Sequence, residues 1–164
     1  MDHALQPYTA LVPRTDKLVV QKVGHTALVT IDNAPANTWD TDTLHGLVEL
    51  VAHLSADPEI YALVITGRGE RFFSAGADLK LFADGDKARA RLMARLFGQA
   101  FEALRDFSGV SIAALNGYAM GGGLECALAC DIRIAERQVQ LALPEASVGL
   151  LPCAGGTQAL SWLV

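Results

Sequence analysis

The chain is short of several things. It has three cysteines among 164 residues, with no CxxC pair, so neither a disulfide framework nor a zinc site is favoured. Half of its residues are apolar, yet no uninterrupted run approaches the roughly 18 that a membrane-spanning helix needs. The start, Met1-Asp2-His3-Ala4, lacks the basic segment followed by an apolar one that a secretory signal requires, which sets the expectation of a cytoplasmic protein. Basic residues are outnumbered 13 to 18, giving a net charge of −5; broad nucleic-acid binding is not expected of such a chain. Histidine is absent after His53, which removes a histidine-based triad from the later, glycine-rich two thirds.

What is present fits one compact α/β domain of this length. Residues 1–16, with Pro7 and Pro13 and no periodicity, read as an N-terminal extension, and residues 17–164 as the domain proper. Leu18 to Val23 and Thr26 to Ile31 are β-branched runs about a Gly24-His25 turn, a hairpin signal. Asp40 or Thr41 caps a helix running to about Ser55, ended by Asp57-Pro58. Tyr61 to Thr66 reads as a strand and Arg68 to Lys80 as an irregular loop. From Asp86 to Phe107, apolar residues at 92, 93, 96, 97, 100, 101 and 104 mark a long helix with one buried stripe. A strand is expected at Val110 to Leu115, a helix at Leu124 to Ala129, and two strands near Asp131 to Ala135 and Val139 to Leu143. Strands alternating with helices point to crossover connections. The apolar, uncapped Trp162-Leu163-Val164 sets the further expectation that the domain is incomplete at its C-terminal end.

The glycine-rich stretches do not make a phosphate loop. Gly121-Gly-Gly-Leu-Glu-Cys does not complete GxGxxG, and Gly149 to Thr157 lacks the lysine of a Walker A loop. A backbone oxyanion site uses the same residues better, because small residues leave amide hydrogens accessible beside a helix start. Gly122 is at such a start, and Ser74-Ala75-Gly76-Ala77-Asp78 is a second small-residue loop after a strand. Glu125 interrupts an otherwise apolar Leu124 to Cys130, where an ionisable group is costly unless paired or functional. Glu145 follows Pro144 after another apolar run. Two carboxylates near two such loops fit an addition of water, which needs one group to activate water and another to supply a proton. Cys126 and Cys130, one helical turn apart in an apolar segment, are read as core. Lys87, Arg91 and Arg95 are read as a solvated helix face.

Together, Phe73-Ser-Ala-Gly-Ala-Asp-Leu-Lys80, Asn116-Gly-Tyr-Ala-Met-Gly-Gly-Gly-Leu-Glu125, Pro144-Glu145 and Gly155-Gly-Thr-Gln158 resemble the enoyl-CoA hydratase/isomerase (crotonase) family over roughly residues 17 to 164. The resemblance implies a spiral of ββα turns in which the amides of Ala77 and Gly122 hold a thioester oxygen. It implies an acyl-CoA partner bound by Ala36, Asn37, Ala75, Ala77, Asp78, Leu79, Lys80 and Gly122, with Lys80 facing a phosphate. Coenzyme A would enter as part of the substrate, with no separate cofactor. Both glutamates are retained, which in this family accompanies 2-enoyl-CoA hydration; Glu125 would activate water for C3 and Glu145 would deliver the proton to C2. A double-bond isomerase, or a fragment serving only for binding or assembly, are the competing expectations. Family members continue with C-terminal helices that cover the site and build trimers or hexamers, so a longer form is expected to assemble that way.

Overall fold

A computed structural model describes residues 4–164. Residues 1–3, including His3, lie outside the described residues. Strand β1 is Gln6–Pro7, β2 Leu18–Val23 and β3 Thr26–Ile31; helix α1, Thr41–Ala56, then leads to β4, Ala62–Gly67. The chain continues through β5 (Phe72–Ser74), α2 (Lys87–Arg105), β6 (Val110–Leu115), β7 (Tyr118–Met120) and α3 (Gly122–Ala129). It finishes with β8 (Ile132–Ala135), β9 (Leu141–Ala142) and α4 (Gly156–Leu163). Among the described residues no helix is long and apolar enough to cross a membrane.

Two sheets result. The larger has the order β1-β2-β3-β4-β6-β8, and the smaller is β5-β7-β9. The expected hairpin is present: Val23 pairs with Thr26 and Leu18 with Ile31, antiparallel, and Gly24 takes the left-handed φ of 56° at the turn. From β4 onward every pairing is parallel. Each turn of the chain gives one strand to each sheet before a helix returns it: β4 then β5 before α2, β6 then β7 before α3. This is the ββα spiral that the resemblance implies.

The sequence reading needs three corrections. The N-terminal extension is partly drawn into the domain, since Gln6–Pro7 pair with β2 and Tyr8 is buried with its hydroxyl donating to Asp57 at 2.8 Å. The loop Arg68 to Lys80 contains β5, and Leu79–Phe82 form a 3-10 turn. The expected strand at 139–143 shrinks to Leu141–Ala142, and β7 was not foreseen at all. These strands are two or three residues long, too short to show a period of two.

Apolar periodicity does explain the rest. Asp40 caps α1 reciprocally, its carboxylate accepting from Thr43 N–H at 2.9 Å while the Thr43 hydroxyl accepts from Asp40 N–H at 2.7 Å. Leu44, Leu47, Leu50 and Leu54 of α1 are fully buried, each contributing about 1.5–3 kcal/mol by removal from water. Met93, Leu96, Phe97, Phe101 and Leu104 of α2 complete that core, with Trp39 edge-on to Phe101 at 5.6 Å. The far end of α4 leaves Trp162 and Leu163 exposed.

Candidate active site

The loop after β5 is shaped by the segment 36–39. Ala75 N–H donates to Ala36 carbonyl (2.9 Å), Trp39 N–H to Gly76 carbonyl (2.8 Å), and Asp78 N–H to Trp39 carbonyl (2.9 Å). These bonds flank Ala77 without using its own N–H. Gly76 has φ +89°, and a Cβ there would lie 2.7 Å from the Met120 carbonyl and 3.0 Å from Gly122 N. A Cβ on Gly123 would lie 2.2 Å from the Ser74 carbonyl. The two small-residue loops therefore touch backbone to backbone, an approach that only glycine permits.

Helix α3 starts in that contact. Gly121 precedes it at φ 53°, and Gly122 N–H belongs to the first turn, whose amides have no intrahelical acceptor. Every residue of α3 is buried, which makes the carboxylate of Glu125 an exception needing compensation. It has one: Glu125 Oε1 accepts from Ala154 N–H at 2.8 Å and Gly156 N–H at 2.9 Å. The positive end of the α3 dipole also favours a negative charge in this first turn. A Cβ on Gly156 would fall 2.9 Å from Glu125 Oε1, so the loop before α4 clasps the carboxylate through its own lack of side chain.

Glu145 opens a 3-10 turn, Glu145–Val148, on the other side of Gly121, where a Cβ would lie 3.0 Å from Glu145 Oε1. Its Oε2 is buried and has no hydrogen-bond partner among the described residues. Burial, reinforced by the charge of Glu125 and partly offset by a bond to its own backbone, holds the Glu145 carboxyl above the usual glutamate range. Cys153, next to the Ala154 amide that holds Glu125, is pushed up to about 11 by burial and then by Glu125 and Glu145. It is a neutral thiol near pH 7.

Glu125, Glu145, Ala77 and Gly122 line one cavity of about 560 Å³, within the range of small-ligand sites. Two carboxylates of unequal environment and the small residues of both loops thus line the same space, an arrangement suited to proton transfer beside a developing oxyanion. Ala75 and Leu79 also line it. Other residues assigned to acyl-CoA binding do not. Asn37 is buried at φ 52°, with its amide donating to the carbonyls of Arg68 at 3.0 Å and Phe72 at 2.8 Å; it staples the loop before β5. Ala36 acts through its carbonyl on Ala75, Asp78 caps the 3-10 turn through Lys80 N–H, and Lys80 is exposed outside the cavity wall.

The sequence reading missed one wall entirely. Ala90, Ala94 and Phe97 of α2 line the cavity, as do Thr38 and Cys153. Periodicity placed Phe97 in the core, where it also is, but could not say that the edge of the same stripe borders a cavity. The other two cysteines are core as read: Cys126 and Cys130 are buried, and burial lifts both thiols, Cys130 to about 12.

This geometry has counterparts. The short-chain-enoyl-CoA hydratase of Clostridium acetobutylicum is 37% identical over 150 residues, covering 91% of this chain and 58% of that protein. The carnitinyl-CoA dehydratase of Proteus mirabilis is 43% identical over 128 residues, covering 78% of this chain and 49% of the relative. The chain therefore spans about half the length of these curated relatives. Among solved structures, Pseudomonas aeruginosa DspI superposes with a TM-score of 0.92 at 74% identity, covering 94% of this chain and 64% of that one. The enoyl-CoA hydratase of Bacillus anthracis superposes at 0.87 with 32% identity, covering 91% of this chain and 58% of the other. Residues 22–164 match the sequence profile described as enoyl-CoA hydratase/isomerase, and with the spiral fold in place the chain belongs to that family.

Proposed function

We propose that the protein of which this chain is part adds water across the double bond of a 2-enoyl-CoA, giving a 3-hydroxyacyl-CoA. The observation that carries this reading is the convergence of Glu125 and Glu145 on one cavity with Ala77 and Gly122. The thioester carbonyl accepts from the amides of Ala77 and Gly122. Glu125, oriented by the Ala154 and Gly156 amides, takes a proton from water as its oxygen attacks C3. The electron pair moves through C2 toward the carbonyl, where the amides meet the growing negative charge. Glu145, kept protonated to higher pH than an ordinary glutamate, gives its proton to C2. Atoms balance as hydroxyl on C3 and hydrogen on C2, and proton exchange with solvent resets the two carboxyls. Each acid/base role is worth about 10²- to 10⁴-fold and one oxyanion donor about 10²- to 10³-fold.

A coupled spectrophotometric assay with short and long 2-enoyl-CoAs, followed by product analysis, tests this reading. The expected result is loss of the conjugated thioester and formation of 3-hydroxyacyl-CoA. Conversion of 3-enoyl-CoA exceeding hydration would replace hydration with double-bond isomerisation, and binding without turnover would leave a module for binding alone. Assembly into trimers or hexamers is part of the proposal. The exposed Ile132, Ile134 and Leu141 on the edge strands β8 and β9 support it, and light scattering measures it.

A further inference from the structure

The cavity is larger than the group of residues that do the chemistry, and its remaining wall has a direction. Phe97 marks the near end, because a Cβ on Gly122 would lie 2.6 Å from Phe97 Cε1. Ala94 and Ala90 lie one and two turns closer to the start of α2 on the same face, and all three line the cavity. At 1.5 Å per residue, the wall runs about 10 Å from the reacting centre toward the start of α2. The lining also includes Val148, Leu150 and Leu151. The polar side chains of the whole lining are Glu125, Glu145, Thr38, Ser147 and Cys153, so the α2 wall itself is purely apolar.

Resting on the hydratase reading, we infer that Ala90 and Ala94 are specificity-determining residues, forming an aliphatic compartment along α2 that admits a neutral, unbranched acyl tail and limits its length. The family resemblance puts the coenzyme A side of the thioester at the Ala75–Leu79 loop, which leaves the α2 side for the acyl tail. Methyl groups at 90 and 94 keep this channel open, whereas larger side chains would fill it. A cationic acyl group is refused by the same wall. A trimethylammonium needs a cage of several aromatic faces or a free carboxylate; the aromatic side chains of the lining are Phe82 and Phe97, too few for a cage, and its two carboxylates are those that the reaction uses. This separates the chain from the kind of substrate named for its carnitinyl-CoA dehydratase relative.

The test measures hydration by the full chain, and by its Ala90→Leu, Ala94→Leu and Ala94→Val variants, of 2-enoyl-CoAs from crotonyl to dodecenoyl and of an enoyl-CoA bearing a trimethylammonium group. In the leucine variants the ratio of kcat/KM for decenoyl-CoA to that for crotonyl-CoA should fall by about 10- to 200-fold, the range for filling a hydrophobic pocket. Ala94→Val, the milder change, should show a smaller fall in the same direction and keeps the test intact if a leucine variant fails to fold. The cationic substrate should be turned over at least tenfold more slowly than crotonyl-CoA. An unchanged ratio in folded variants, or equal use of the cationic substrate, overturns the inference. If the wild type hydrates nothing, the hydratase reading has failed. Calorimetric binding of butyryl- and decanoyl-CoA to the same proteins then decides the compartment separately: loss of decanoyl preference in Ala94→Leu supports it, and no preference in the wild type overturns it.

Discussion

Leu63 and Ile65 in β4 and Gly76 and Gly123 beside the cavity are all buried, for opposite reasons. The leucine and isoleucine fill volume in the hydrophobic core against the six-stranded sheet. The two glycines leave volume empty so that main chains can meet. The larger sheet is thus specified by what its side chains are, and the smaller sheet β5-β7-β9 by what its loops lack. The first region tolerates changes of shape at a cost in stability. The second tolerates few changes, and on the proposed reading they register in activity.

The largest effects should fall in the second region. Glu125→Gln and Glu145→Gln should each lower hydration about 10²- to 10⁴-fold while leaving the melting temperature close to wild type. Gly123→Ala places a methyl group 2.2 Å from the Ser74 carbonyl, so the two amide loops must separate; hydration should drop about 10²- to 10³-fold, with kcat affected more than KM. Leu63→Ala reverses the pattern: a cavity in the larger sheet should cost about 2–5 kcal/mol in denaturant unfolding and leave kcat within a fewfold of wild type. Equal damage to kcat from Leu63→Ala and Gly123→Ala would erase the distinction.

Glu145 sharpens it further with pH. Its folded pKa is raised, so the stability it contributes is complete below the pKa of an unfolded glutamate and is lost as pH rises through the folded value. Glu145→Gln, inactive, should therefore melt slightly above wild type near neutral pH and match it in acid. The smallest effect belongs to Gly98 on α2, where an added Cβ meets nothing within 4 Å. Gly98→Ala should stabilise the helix by about 0.5–1 kcal/mol without altering hydration, as thermal unfolding and the same assay will show.

The same contrast governs what could be read in advance. The hairpin, α1, β4, α2 and β6 carry apolar periods long enough to recognise, and their bounds in the structure lie within a few residues of those read. Strands β5, β7 and β9 are held by backbone bonds across distant segments, as when Ala119 N–H donates to the Gln140 carbonyl, and side-chain patterns do not encode such pairings. Glu125 was legible because a carboxylate in an apolar run has few benign explanations. That Ala154 and Gly156 would hold it was not, since only the fold brings residues 29 and 31 positions away to one oxygen. Asn37 stood out only because Ala36-Asn37 resembles a coenzyme A-contacting segment of the family, and the structure gives it a bracing role that no short motif conveys.

The most direct test of the account compares wild type, Glu125→Gln and Glu145→Gln in hydration of crotonyl-CoA, with butyryl-CoA binding measured on the same samples. Both variants should bind butyryl-CoA within a fewfold of wild type and lose at least 10²-fold in turnover. Wild-type turnover by either folded variant would contradict the assignment of these two carboxylates as the acid/base pair.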